Sequence, residues 1–496
     1  MLKSRIVSCL AACVLLISLA GCGSGGKTAV NANAKPEDFM GGESFRTFAD
    51  LPCTYKDVNQ LNDYLDCGFD IYCLHEEYAG SPTDSESGAE ELTDSYKEAL
   101  RILTDKGVNI FIRNHRNDPD YFVNTDEDWD RQRYMFGAYY DLPYRNLSAE
   151  NFAPYNLQGF YFCDEPDYWG SESGLNFWYG LHDYEKLVDW YNDNFADTGV
   201  YFHVNLFPSY TSASHFSHPT DPSLDATYEQ YVDYYVEHFA KKIKGPKSIC
   251  VDNYPLEPGG EIRSSYYENL LLFANKTKEY NEQESNDVYK ADMGFCVQAF
   301  YHDANIVEDI QCSEDISFQL CVGMAMGACM FEYWLYTSPS GQHGIVSGGG
   351  RKRIYDYVKE ANDLYLPLSE VLTNFNWQGL AAVPAEQEEN RENVAGFEDL
   401  HGATPVSEMR DLKGARCSLD TVIGYFEHET SGQPGYMVAN CTLPVEGKNS
   451  VVFLDFEGHD RVFVYSKGGQ YEEMRTVGGQ LRLELGAGDG VFGVPV

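Results

Sequence analysis

From Phe45 onward, short apolar runs alternate with longer stretches in which apolar residues recur at helical spacing. The runs FRTFAD, FDIYCLHEE, VNIFIRNH, GFYFCDE, GVYFHVNLF, SICVDNY, MGFCVQAF and CMFEYWLY read as strands. Between them, YKDVNQLNDYLDCG, SYKEALRILTDKG, YEKLVDWYNDNF, YEQYVDYYVEHFAKKI and YENLLLFANKTKEYN read as helices, and YDYVKEANDLYLPLSEVL follows the eighth run. Strand–helix units repeated in this way over roughly 320 residues predict an α/β fold, a parallel (β/α)8 barrel of the TIM type. A doubly wound open sheet is the rival arrangement.

Beyond residue 370 the helical period disappears. TVIGYFEH, GYMVANCTL, SVVFLDF, DRVFVYS and QLRLELG are separated by Gly, Pro, Asn and Asp, which predicts a C-terminal all-β sandwich domain. The expected layout is a leader over 1–21, a flexible tether over 22–40, the barrel over 41–368, a junction over 369–385 and the sandwich over 386–496.

The leader changes the compartment. Lys3 and Arg5 precede the apolar run CLAACVLLISLA, too short for a spanning helix, and Leu19-Ala20-Gly21-Cys22 resembles the lipobox of bacterial lipoproteins. That resemblance implies lipidation at Cys22, a membrane partner reached through the N-terminal lipid, and a place on the bacterial cell surface. The formal charge of −41 argues against nucleic acid as a partner. Oligomeric state leaves no mark in the sequence. Of 14 cysteines, Cys9, Cys13 and Cys22 belong to the leader and its end, and the other 11 lie mostly inside apolar runs. With no CxxC among them they read chiefly as small buried hydrophobes, with room for a disulfide or two and no metal site.

Strand alternation points to a site. In a barrel, successive residues face inward and outward in turn. Cys73-Leu74-His75, Cys163-Asp164-Glu165, Cys250-Val251-Asp252 and Cys296-Val297-Gln298 each place a cysteine two residues before a polar group. The expectation is a layer of inward cysteines capped by inward His75, Glu165, Asp252 and Gln298, with Arg113, His115, His203 and Asn205 added from strands 3 and 5. The alternate positions Leu74, Phe160, Phe162, Ile249, Val251, Phe295 and Val297 then face helices. Polar groups at the C-terminal ends of several barrel strands mark the usual place for chemistry.

GFYFCDEP resembles the strand-4 signature of glycoside-hydrolase-type barrels, in which an Asn-Glu or Asp-Glu pair and a proline close the strand. CVDNYP, VQAF and VGMAMGACMFEYW fit the same group. The resemblance implies a glycoside hydrolase acting on an oligo- or polysaccharide, with no cofactor. Such cleavage needs a carboxylic acid to protonate the leaving oxygen and a second carboxylate as nucleophile or base. Glu165 is the expected general acid/base, and Asp164 reaches the site only through a strand-end bulge. Strand 7, where many such enzymes carry the nucleophilic Glu, offers Gln298. Asp252 is the preferred substitute and Glu332 the second option.

Trp169, Tyr254 and Trp334 join the expected substrate-binding set, because flat aromatic rings suit the apolar faces of sugars. The competing functional readings are a non-catalytic carbohydrate-binding lipoprotein on a degenerate barrel and a transporter's solute-binding component. The Gly-rich run SGGGRKR lacks P-loop spacing, and His215 and His218 lack a zinc-site pattern.

Overall fold

The computed structural model describes residues 34–496 except 76–78, 80–90, 114–145, 170–179, 219–220, 258–260, 284–288, 301–309, 338–343, 348–349 and 392–395. All eight expected barrel strands form: β1 (Arg46–Ala49), β2 (Ile71–Leu74), β3 (Asn109–Arg113), β4 (Leu157–Asp164), β5 (Tyr201–Leu206), β6 (Lys247–Asp252), β7 (Ala291–Val297) and β8 (Ala328–Tyr333). They make one parallel sheet in the order β1-β8-β7-β6-β5-β4-β3-β2. The two ends of that order meet where the Asp70 amide donates to Thr47 O at 3.2 Å and the Thr47 amide donates to Asp70 Oδ1 at 2.9 Å. The ring is closed there by a turn residue in place of a full ladder.

Helices follow the strands: α1 (Val58–Asp66), α2 (Asp94–Asp105), α3 (Leu181–Phe195), α4 (Tyr228–Tyr235), α5 (Tyr266–Asn281), α6 (Ser313–Ala325) and α7 (Arg353–Tyr365). Local chemistry sets their ends. The Asp57 carboxylate accepts from the amides of Asn59 and Gln60 to start α1, and Thr93 accepts from the Tyr96 amide to start α2. Gly107 and Gly327, at φ of 72° and 82°, follow α2 and α6 and turn the chain directly into β3 and β8. The helix expected through Leu372 breaks after α7 at a 3-10 turn containing Pro367. Among the described residues no helix is long and apolar enough to cross a membrane.

Phe48, Ile71, Cys73, Phe111, Tyr161, Tyr201 and Met330 fill the barrel interior. Leu74, Phe160, Phe162, Ile249, Val251, Phe295 and Val297 all lie in the outer core, on the helix side that alternation assigns them. The eleven described cysteines are free thiols, nine of them buried.

After the ribbon of β9 (Val346–Ser347) and β10 (Gly350–Arg351) comes the sandwich. Its strands are β11 (Phe375–Val383), β12 (Leu412–Cys417), β13 (Thr421–His428), β14 (Pro434–Asn440), β15 (Ser450–Phe456), β16 (Arg461–Ser466), β17 (Gln470–Arg475), β18 (Gln480–Leu485) and β19 (Gly490–Pro495). Six form the sheet β11-β13-β14-β19-β16-β17, and three form β12-β15-β18. The segment read as a junction therefore carries the sandwich's first strand. The end of the segment read as a tether lies on the same sheet, with the Phe39 ring 6.1 Å from that of Phe375.

The larger sheet packs its outer face on α6. Every residue of α6 except Glu314 is buried, because β7 and β8 cover one side and β13 and β14 the other. Its second half, residues 320–325, is apolar all round, as a helix clad this way requires, and the buried Ser317 and Gln319 of its first half hydrogen-bond to backbone carbonyls.

Candidate functional site

The ladder between β4 and β5 runs Tyr161↔His203, then skips to Cys163↔Val204 and Asp164↔Asn205. This bulge moves the alternation by one residue. Cys163 turns outward into the helix-side core, so the expected ring of inward cysteines keeps Cys73, Cys250 and Cys296 and loses its strand-4 member. Asp164 turns inward instead, by the route the sequence allowed it. There its Oδ1 accepts from the Tyr161 hydroxyl at 3.0 Å and from Asn205 Nδ2 at 3.1 Å, and Arg113 Nη2 lies 3.3 Å from its Oδ2.

Glu165 follows in the left-handed region at φ 48°, a conformation that costs a non-glycine residue about 1–3 kcal/mol. Its amide donates to Asn205 O at 2.8 Å, which keeps the chain tied to β5 through the turn. The turn brings both neighbouring acids of β4 to the mouth of the barrel. The Glu165 and Asp252 carboxyls are neighbours, close enough for each to shift the other's protonation. Burial first, then the charges of Asp252 and Asp164, drive the Glu165 carboxyl well above the usual range. Burial and Asp164 raise Asp252 to about 7, against hydrogen bonds from Tyr254, Glu165 and Cys296 that lower it. Asp252 is buried, with its Oδ1 closed off from solvent, and Glu165 is half-buried.

A second line of charge runs below. His75 Nε2 lies 2.8 Å from Asp50 Oδ1, and Arg113 Nη2 bridges Asp50 Oδ2 at 3.1 Å and Asp164. Burial opposes ionisation of Asp50, but Arg113 and His75 reverse it and hold this carboxyl far below the usual range. Arg113 Nη1 is buried without a hydrogen-bond partner among the described residues. Asp50 is a member of the site that the sequence reading passed over. The signal was present, since Phe48 is inward and Asp50 lies two residues on.

His203 lies inside the barrel, with Nδ1 2.7 Å from Ser248 Oγ and Nε2 3.2 Å from Glu332 Oε2. Burial and then Arg113 lower the His203 imidazole to about 3, which leaves it neutral. Glu332 is fully buried, and burial with the charges of Asp164 and Asp50 drives its carboxyl well above the usual range. It belongs to the barrel interior beneath the Glu165–Asp252 pair.

Gln298 departs from its expected place in the polar cap. Its side chain makes two hydrogen bonds to Leu256, accepting from the amide at 2.9 Å and donating to the carbonyl at 3.1 Å. Its own amide donates to Gln319 Oε1 at 2.7 Å. A buried primary amide matches a backbone peptide group for group, and Gln298 uses that match to hold the loop after β6. Tyr254, on that loop, donates its hydroxyl to Cys296 Sγ at 3.7 Å and its amide to the Tyr210 hydroxyl at 3.2 Å.

Trp169 packs flat on His182 of α3, 4.8 Å between centroids at 9°, so the helix occupies one of its faces. Trp334 is half-buried just past β8. His215, set aside in the sequence, has Nδ1 2.7 Å from the buried Asp167. His115 and Cys22 lie outside the described residues. Arg351 of the Gly-rich run pairs with Asp63 of α1 and stacks on Tyr355, which fits a structural role for that run.

Comparison with known proteins adds little chemistry. No family model matches the chain, and no curated protein matches it. Solved structures with a similar chain path include a glycoside hydrolase family 5 protein from Bacteroides vulgatus, 10% identical, at TM-score 0.46 over 91% of this chain and 89% of that one. An α-amylase from Geobacillus thermoleovorans complexed with acarbose is 12% identical, at TM-score 0.42 over 89% of this chain and 92% of that one. At such values the likeness concerns the general course of the backbone and carries no statement about activity.

Proposed function

We propose that this chain is a glycoside hydrolase in which Glu165 and Asp252 form the catalytic carboxyl pair. The observation that supports it is the adjacency of these two carboxyls at the C-terminal mouth of the barrel, where each acts on the protonation of the other. Two carboxyls that share a proton supply an acid and a carboxylate from one arrangement, which is what cleavage of an acetal requires. Tyr254, beside Asp252, lowers its carboxyl and so favours its ionised form. Asp252 is accordingly the nucleophile and Glu165 the acid/base, protonating the leaving oxygen and then deprotonating water. Carboxyls close enough to act this strongly on one another leave little space for a water between them. That fits the retaining spacing of about 5–5.5 Å better than the inverting one of about 6.5–9.5 Å.

The non-catalytic alternative drew its force from a glutamine where a nucleophile was expected. Gln298 has a structural task at that position, so its identity is no sign of a lost nucleophile. The substrate is carbohydrate, met outside the cytoplasm by a chain tethered through lipid on Cys22.

A panel of aryl glycosides and plant and host polysaccharides tests the reading. Hydrolysis by the wild type, its loss in Glu165→Gln and Asp252→Asn with glycan binding kept, and retained anomeric configuration by NMR are expected. Glycan binding by a wild type that cleaves no member of the panel would return the chain to the carbohydrate-binding class.

A further inference from the structure

Below the carboxyl pair, inside the barrel, lies a constellation that glycoside cleavage does not use. His203 on β5, Cys250 on β6 and Glu332 on β8 each offer one donor atom, and the three donors lie within 4.8 Å of one another. All three side chains are buried from solvent. Oε1 of Glu332 is buried with no hydrogen-bond partner among the described residues. The Tyr161 hydroxyl, which also acts on Glu332, donates to Asp164 at 3.0 Å. A carboxylate oxygen left bare in a closed interior is costly unless something absent from the polypeptide occupies it.

The charge inventory points the same way. Asp50, Asp164, Asp252 and Glu332 converge on the upper barrel. Arg113 is the cation among them, already placed between Asp50 and Asp164. Glu332, by contrast, has the neutral His203 imidazole as its partner among the described residues, with Nε2 3.2 Å from Oε2. A second donor group, Asp50, Cys73 and His75, exists one strand layer away. There the Arg113 guanidinium lies 3.1 Å from Asp50, so the positive charge is already supplied.

We propose that His203 Nε2, Cys250 Sγ and the Glu332 carboxylate bind one divalent transition-metal ion of the zinc type. A nitrogen, a thiolate and an oxygen form a donor set that suits zinc and disfavours calcium or magnesium, which take oxygen. Ser248 Oγ, 2.7 Å from His203 Nδ1, is the outer partner such a histidine needs. With Nδ1–H donated to Ser248, the Nε2 lone pair is free for the ion. Binding displaces two protons to solvent, one from the Cys250 thiol and one from the Glu332 carboxyl, and no bond changes besides. The ion joins β5, β6 and β8 from inside and acts as a structural cross-link beneath the mouth. This site stands apart from the hydrolase reading, and either can fail alone.

The full chain, supplied with zinc and dialysed against metal-free buffer, is expected to retain one zinc per chain by elemental analysis. Cobalt(II) in its place is expected to show the intense thiolate-to-metal absorption of a Co–S bond. Cys250→Ser should abolish that band, and Cys73→Ser should keep it. Glu332→Gln should weaken zinc binding at least tenfold in competition with a chromophoric chelator. Because interior variants can fail to fold, zinc K-edge absorption on the wild type gives a second reading, expected to show one sulfur among nitrogen and oxygen neighbours. Wild-type protein that loses all zinc on dialysis overturns the proposal. So does a cobalt band that survives Cys250→Ser, or a zinc shell without sulfur. A chain that hydrolyses glycosides without holding zinc leaves the proposed function standing and removes this site.

Discussion

Glu165 and Asp252 leave strands separated by β5, and their carboxyls still act on one another, because Glu165 turns back over the barrel mouth at φ 48°. Their contact makes the two residues a unit. Replacing either by its amide keeps the shape and removes half of the acid–base pair. Glu165→Gln and Asp252→Asn are each expected to lower kcat by about 10²–10⁴ or more, the usual worth of a positioned proton-transfer group. The double variant should be little worse than the poorer single one, since residues that act as a unit are not additive. Steady-state rates on an activated and an unactivated glycoside check this, and additive losses would mean that the two carboxyls work separately.

The Glu165 carboxyl has to be protonated to act as the acid, so kcat/KM should fall as pH rises through its pKa. Burial, then Asp252 and Asp164, push that pKa well above the ordinary glutamate value of about 4.3. The alkaline limb of the profile should therefore lie far above the ordinary carboxylate range. Asp164→Asn removes one of the raising charges and leaves both reacting carboxyls in place. Its alkaline limb should move to lower pH. A limb that stays put would show that Glu165 is not the group titrating.

Alternation along the chain revealed the site where ladders are regular and misled where one is not. At β2, β6 and β7 the cysteine-x-polar pattern placed Cys73, Cys250 and Cys296 inward. At β4 the same pattern failed for Cys163, because the bulge arises from how β4 meets β5, a relationship between segments far apart in sequence. Asp50 was legible by the same rule and needed only the two-residue step from Phe48. Gln298 carried no local sign of its task, since Leu256 and Gln319 come from other segments. The strand over 375–383 reads as a linker for a related reason. Leu380 faces the barrel helices while Ala381 and Val383 face the sandwich core, so both of its sides are covered and no alternation shows.

Arg113 is the counter-charge on which the interior acids depend. It is 12% exposed, and its partner Asp50 is 1% exposed. Removing one member of a buried ion pair leaves a stranded charge and typically costs about 3–5 kcal/mol. Arg113→Leu should lose that much stability, read as a lower urea midpoint for the barrel. Pairing it with Asp50→Asn should recover part of the loss, because the stranded carboxylate is then gone. A single variant as stable as the wild type would mean that Asp50 is already neutral.

Gly424 on β13 is what lets the sandwich seat on the barrel. A Cβ there would lie 2.0 Å from Ala325 O and 2.9 Å from Ala325 Cα, both backbone atoms at the end of α6. The same carbonyl accepts from the Trp377 indole of β11 at 2.9 Å, so the helix cannot withdraw without breaking that bond. Gly424→Ala must therefore push β13 away from α6, and forced overpacking of this kind costs about 1–3 kcal/mol. Gly414→Ala is the matched control, since its Cβ would meet Asp455 Oδ2 at 3.5 Å, an ordinary contact. Thermal melts should show Gly424→Ala lowered and Gly414→Ala close to wild type. Limited proteolysis should cut the connection between α7 and β11 faster in the first. Equal melts for the two variants would mean that sandwich and barrel do not depend on this contact.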